Sequence, residues 1–233
     1  MEESKKELFI GIDLGNRNKK TTGLCILQKN KNQVLVFGQC SQDIFGKDLL
    51  KTIGKYLKDT KVIAIDAPLT KSKGKGKMRL YEKFLSTSIF KKEKISPIPP
   101  ALIPWLSDFG QEIVQKLKKR GFVIDLNLIE VFPALIQKIS NQKIFSESLE
   151  SFSSKENILE SCQTENQRSA LFCALLAFLH FQSKTAYLGY RDGFLFLPKF
   201  HFWQSQWREK FYQAWQKKSG LRYRYLTTNL FAK

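Results

Sequence analysis

Histidine is almost missing from this sequence, with two in 233 residues. His180 and His201 stand far apart and are assigned no role. Cysteine is scarce as well. Its four copies, Cys25, Cys40, Cys162 and Cys173, show no metal-type spacing and sit in or near apolar segments, so they read as reduced, buried thiols of a cytoplasmic protein. The apolar run "ALFCALLAFL", Ala170 to Leu179, falls short of the roughly 20 residues that a bilayer span needs. It predicts a helix buried on nearly every side, and no membrane partner. The opening "MEESKKE" is polar and lacks a signal-peptide pattern. Acids are few: 21 Asp and Glu against 39 Lys and Arg, a net charge of +18. That balance favours a polyanionic partner, most simply nucleic acid. It leaves the type of nucleic acid and the oligomeric state open.

What is present is a chain of 233 residues, 42% hydrophobic, enough for one large domain with insertions. Residues 8–14, 21–28 and 33–39 read as three strands with short polar connections, an antiparallel meander. Residues 43–58 place Ile44, Leu49, Leu50, Ile53 and Leu57 near one helical face, with Asp43 as the cap. "KVIAIDAPL" is a nearly continuous apolar run, expected of a parallel strand covered on both faces, and Pro68 stops it. Residues 69–107 read as an insertion outside the core: a basic loop, a short helix in "RLYEKFLS", then a proline-rich arm. A helix over 108–120 ends at Gly121. "DLNLIEVFP" is a strand stopped by Pro133, the serine-rich stretch 140–164 is surface, a helix runs from 165 to 182, and "GFLFLP" is a last strand. Strands, helix, strand, helix, strand, helices make an α/β protein with a mixed sheet. The domain is taken as 1–198, with 199–233 as a basic, aromatic extension packed on it.

Three strands end alike. Asp13 closes "IGID", Asp66 closes "IAID" and Glu130 closes "NLIE". If those strands are parallel neighbours, their carboxyl ends share the edge at which open α/β sheets bind ligands. Strands about 4.8 Å apart let three acids converge on one ion. Clustered carboxylates stay ionised cheaply only with a cation between them, and oxygen donors suit Mg²⁺ or Mn²⁺. Taken singly, each acid could equally cap a turn or pair with a lysine.

"FIGIDLG", "VIAIDAPL" followed by "MRLYEKFL", "LIEVFPALI" and "RSALFCALLAFLHF…GFLFLP" together resemble the domain-of-unknown-function 429 family, predicted nucleases of the ribonuclease H fold. The similarity covers roughly residues 8–198. It implies a five-stranded sheet ordered 3-2-1-4-5 with strand 2 antiparallel, an acidic Mg²⁺ or Mn²⁺ site built on Asp13, Asp66 and Glu130, and Arg79 and Glu82 at its rim. The family, like Holliday-junction resolvases, opens its late helix with Asp just before "AL". Here that residue is Ser169, and the resolvase-type Asp three residues earlier is Asn166. Glu165, one turn upstream, substitutes only if the helix start shifts. Serine is a poor ligand for a hard dication, so weak metal binding and slow cleavage are expected.

Two other function classes compete. A catalytically silent nucleic-acid binder on a degenerate nuclease scaffold fits the loss of Asp at 169. "DLGNRNKKTTG" also resembles the phosphate-cradling hairpin of actin and sugar kinases, although the chain has no second lobe. The loop holding Lys71, Lys73, Lys75, Lys77 and Arg79, with Arg17 in the first hairpin, is expected to follow a phosphate backbone without reading bases. Trp203, Trp207, Phe211 and Trp215 recur every four residues as a helical stripe, read as packing onto the domain in preference to stacking bases.

Overall fold

The computed structural model describes residues 6–29, 35–71, 78–141, 162–217 and 224–231, with 35–42 by backbone only. Lys73, Lys75 and Lys77, and nearly all of the serine-rich stretch, lie outside them.

Five strands form one sheet in the order β3-β2-β1-β4-β5. They are β1 (Glu7–Asp13), β2 (Lys20–Lys29), β3 (Leu35–Phe45), β4 (Thr60–Asp66) and β5 (Leu128–Glu130). β2 runs antiparallel to β1 and β3, while β1, β4 and β5 are parallel. This is the mixed order that the ribonuclease H-like resemblance implied.

Alternation along the strands gives each face of the sheet its own core. Leu8, Ile10, Ile12, Ile63 and Ile65 pack with α1 (Leu49–Ile53) and α4 (Pro104–Lys118). Phe9, Cys25, Val62 and Ala64 face the long α6 (Glu165–Phe181). Every residue of α6 from Ala170 to Leu179 is buried. Glycine decides how close it comes. A Cβ on Gly11 would lie 2.1 Å from Ala170 O and Ala174 N, and one on Gly23 would lie 2.1 Å from Asn166 O. Any side chain there would push the helix off the sheet.

Around the α6 face gather α2 (Leu80–Leu85), α3 (Ser88–Lys92), α5 (Pro133–Ile139), α7 (Ser205–Gln216) and a second sheet ordered β7-β6-β8. Its strands are β6 (Thr185–Tyr190), β7 (Gly193–Pro198) and β8 (Thr227–Thr228). Trp203, Trp207 and Phe211 of the aromatic stripe are buried in this core, where Phe211 meets Phe84 edge-on at 5.1 Å.

Four local expectations need correction. The 43–58 helix gives way to strand through Phe45, followed by a 3-10 turn (Gly46–Asp48), α1 and a second 3-10 turn (Gly54–Tyr56). Pairing with β2 outweighed the helical period, and Asp43 is a strand residue opposite Gly23, not a cap. Pro104 and Pro133 open α4 and α5, since proline lacks only an amide that the first helical turn leaves unpaired anyway. β6 is a strand the sequence reading left out. Residues 69–107 are not outside the core: Tyr81, Phe84, Leu85, Phe90 and Ile95 are buried in it.

Candidate functional site

Cross-strand register lines up one row of residues at the carboxyl edge of β1 and β4. Asp13 pairs with Asp66 on one side and with Gly23 on the other, and Gly23 pairs with Asp43. Paired residues project to the same face, so Asp43, Asp13 and Asp66 all lie on the α6 side. Gly23 leaves a gap between Asp43 and Asp13, and the backbone of Asn166 fills it. The start of α6 is tied to the same row: the Thr164 hydroxyl caps the helix by accepting from Gln167 N at 3.1 Å and donates to Asp43 Oδ1 at 3.2 Å.

None of the hydrogen bonds among the described residues reaches the carboxylates of Asp13 or Asp66. Burial, and then the nearby charge of Asp43, push Asp13 from its ordinary 3.8 to about 7. Burial, then Asp13 and Glu130, push Asp66 well above its ordinary value. The cause in both is negative charge crowded where water is scarce. The Cys173 thiol lies beneath, bonded to Ile12 O at 3.5 Å, and the same burial and carboxylates hold it protonated.

Glu130 is placed differently. Its register partner is Ile65, one residue short of the Asp66 row. Its two oxygens accept from Leu69 N (2.9 Å), from Arg79 Nη1 and Nη2 (2.7 Å each) and from the Tyr81 hydroxyl. Those four bonds fill the acceptor sites of a carboxylate. Arg79 in turn binds Glu82 through Nε at 2.9 Å, while Arg79 N donates to Glu82 Oε2 at 2.6 Å and closes the first turn of α2. Arg79 and Glu82 are each 1% exposed. They belong to the buried wall of the site and not to a solvent rim. Burial works against the charge of Arg79, but Glu130, Tyr81 and Glu82 outweigh it and keep the guanidinium protonated. Burial raises Tyr81, which stays a hydroxyl donor.

A pocket of about 200 Å³ joins the two groups, lined by Asp13, Asp66, Glu130, Arg79 and Tyr81 and, from the proline-rich arm, by Pro97, Ile98, Ile103 and Leu106. Among the described residues no set of three or more His, Cys, Asp or Glu side chains is grouped to hold a metal ion. The adjacent pair Asp13 and Asp66 does suit a divalent ion that keeps waters and takes one or two protein carboxylates. Glu130 does not, because its oxygens are taken.

The remaining expected residues fall as follows. Ser169 is half-buried on α6, one turn before Cys173 and therefore on the helix face directed at the Asp13 end of β1. Asn166 lies over Gly23 through its backbone, and Glu165 is exposed and paired with Arg168 at 2.6 Å. Arg17 stacks its guanidinium 4.5 Å from the Phe109 ring centre and pairs with Glu112. Lys71 is exposed, 3.5 Å from Asp108. In the first hairpin Gly15 N donates to Thr22 Oγ1, Asn16 N to Thr21 Oγ1 and Asn18 N to Asn16 Oδ1. Those amides, which a kinase-type loop offers to phosphate, are engaged inside the turn. Asp43 and Tyr81 escaped the sequence reading.

No family model matches this chain, and no curated protein does, so the family resemblance gains no support there. No helix among the described residues is long and apolar enough to cross a membrane. Among solved structures the chain is similar to the crystal structure of the yeast mitochondrial Holliday junction resolvase Ydc2, at 14% identity over 75% of this chain and 78% of that one, with a TM-score of 0.37.

Proposed function

We propose that this chain is a nucleic-acid-directed protein of the metal-dependent nuclease type, with Asp13 and Asp66 holding a Mg²⁺ or Mn²⁺ ion at the carboxyl edge of the sheet. The observation that carries the reading is the side-by-side register of two half-buried carboxylates, at the central β1–β4 step of a 3-2-1-4-5 sheet, with no hydrogen-bond donor of their own among the described residues. The charge of +18 supports a polyanionic substrate. When bound, such an ion polarises a phosphate oxygen and acidifies water. The chain's own part is to supply hard oxygens on rigid strands and to hold a proton on Asp13 near neutral pH until an ion replaces it. Arg79 fixes Glu130 as part of the wall. In this reading Lys71, Lys73, Lys75, Lys77 and Arg17 guide the backbone of the substrate.

The test is cleavage of labelled single-stranded, duplex and branched DNA and RNA in Mn²⁺, with Asp13→Asn and Asp66→Asn as controls. Cleavage lost in both variants supports the reading. Cleavage that persists in both assigns the activity elsewhere. A second reading, binding without cleavage, is favoured by two observations: Glu130 is neutralised by Arg79, and a neutral hydroxyl stands at Ser169. Ser169→Asp separates the two. It should tighten Mn²⁺ binding in calorimetry by about tenfold and raise any cleavage, because it adds a charged oxygen beside the pair. No change in Mn²⁺ affinity removes position 169 from the ion's surroundings.

Lys71, Lys73, Lys75 and Lys77 changed together to Ala should weaken nucleic-acid binding evenly across sequences. The slope of log affinity against log salt should shrink by about 0.9 for each duplex phosphate that the variant no longer neutralises. An unchanged slope removes the loop from the interface.

A further inference from the structure

The hairpin joining β6 to β7 carries a surface feature that the metal site does not use. At its tip the rings of Tyr190 and Tyr225 stack, with centres 6.1 Å apart and planes 28° apart. Arg191 lies over Tyr190 at 5.8 Å, and Arg224 over Tyr225 at 4.9 Å. These contacts bring together two parts of the chain far apart in sequence, and Arg224 Nη2 also donates to the Tyr225 hydroxyl at 3.0 Å. Tyr225 is 56% exposed. The C-terminal segment does not need that ring to stay attached. Thr227 and Thr228 pair with β6 through backbone and hydroxyl, Asn229 Oδ1 accepts from Tyr187 N at 2.8 Å, and Leu226 and Leu230 are buried beside it. An aromatic ring left this open on an otherwise anchored segment has free surface to offer.

The hairpin tip is tied to the wall of the pocket. Asp192, next to Arg191, receives Leu80 N on its carboxylate at 2.9 Å and the Thr70 hydroxyl on its backbone oxygen at 2.8 Å. Thr70 and Leu80 are the two roots of the basic loop. Thr70 Oγ1 also accepts from Arg79 Nη1 at 3.3 Å, and Leu195 of β7 lines the pocket itself.

We propose that Tyr190, Tyr225, Arg191 and Arg224 form a platform that takes an unpaired stretch of nucleic acid. A base stacks on the tyrosine pair, and the arginines meet its phosphates. Stacking on an open ring needs a base released from its partner, so single strands are preferred over duplex. The inference rests on the nucleic-acid reading proposed above, and it adds the strand form and the residues that hold it.

Fluorescence anisotropy tests it with a labelled single-stranded oligonucleotide and the matching duplex, both in chelator so that binding is read without cleavage. The chelator also tells the two failures apart: wild type that binds neither form sinks the nucleic-acid reading, and the platform with it. If wild type binds, Tyr225→Ala should weaken the single strand about 5- to 150-fold and change duplex affinity less than about twofold. Tyr225→Phe should keep most of the single-strand affinity, because the ring remains. Arg191→Ala should lower the salt slope for the single strand by about 0.7. Single-strand binding that survives Tyr225→Ala within twofold overturns the platform alone. So does an equal loss for duplex, which would mean phosphate contact only.

Discussion

In chelator at pH 8, Asp13→Asn should melt higher than wild type, and Mn²⁺ should raise the melting temperature of wild type but not of the variant. Both effects follow from one cause. Folding buries Asp13 in the row that also holds Asp43, and that burial first and the Asp43 charge second move its carboxyl from 3.8 to about 7. A raised carboxyl binds more protons in the folded state than in the unfolded one. Stability must therefore fall as pH rises from about 4 to about 7, and stay low above that. The shift of about 3 units sets a ceiling of about 4 kcal/mol at 1.36 kcal/mol per unit. Asparagine still buries an unpaired polar group at that position, so the relief should be roughly half of that. At about 2–4 °C per kcal/mol for a chain of this size, the gain is roughly 4–8 °C at pH 8 and near zero at pH 4. The same negative charge is what a divalent ion would neutralise. Differential scanning calorimetry across pH, with chelator and with Mn²⁺, reads both. If Asp13→Asn lowers stability equally at pH 4 and pH 8, Asp13 is a structural acceptor and the ion reading loses its best support. A residue kept at a cost to stability is the mark of a functional group.

Arg79→Met should have the opposite and larger effect. Arg79 is buried between Glu82 and Glu130, and its replacement leaves two carboxylates in the wall with no cation. Breaking a buried ion pair from one side typically costs about 3–5 kcal/mol, or roughly 6–20 °C here. The loss should depend on pH with a defined sign. Burial already raises Glu82 while Arg79 pulls it back down, so without Arg79 it rises further and the variant should recover stability as pH falls. Arg79→Met combined with Glu82→Gln and Glu130→Gln should regain much of the loss at neutral pH, since neutral amides no longer need the guanidinium. A small, pH-independent effect of Arg79→Met would return Arg79 to a solvent-facing role on the substrate. A large one fixes Glu130 as part of the wall.

How much was legible beforehand differs residue by residue. Asp13 and Asp66 announced themselves by ending two β-branched runs of equal pattern, and parallel pairing in register is the simplest way to bury both runs on both faces. The burial of Trp207 and Phe211 followed from helical spacing together with the area of aromatic surface at stake, although Trp203 of the same spacing lies before the helix, which starts at Ser205. Asp43 was hidden because residues 44–57 satisfy a helical period while also allowing a strand through Phe45. Hydrogen bonding to β2, which local pattern does not contain, decided between them. The partners of Glu130 were hidden for a related reason. A strand-end acid carries no sign of its counter-charge, and Arg79 lies 51 residues away in sequence.

By itself, then, the sequence determined the two interior faces of the sheet, the helix that covers one of them, the excess of positive charge and the two acids that open the site. These depend on residue type and period, which act within a few residues. Only the tertiary structure decided which acids are left without a counter-charge among the described residues. Cross-strand register placed Asp43 beyond Gly23 in the Asp13 row, and the fold carried Arg79 to Glu130 but brought no cation among the described residues to Asp13 and Asp66. Charge in a poorly hydrated site depends on what stands within a few ångströms, and chain distance does not encode that.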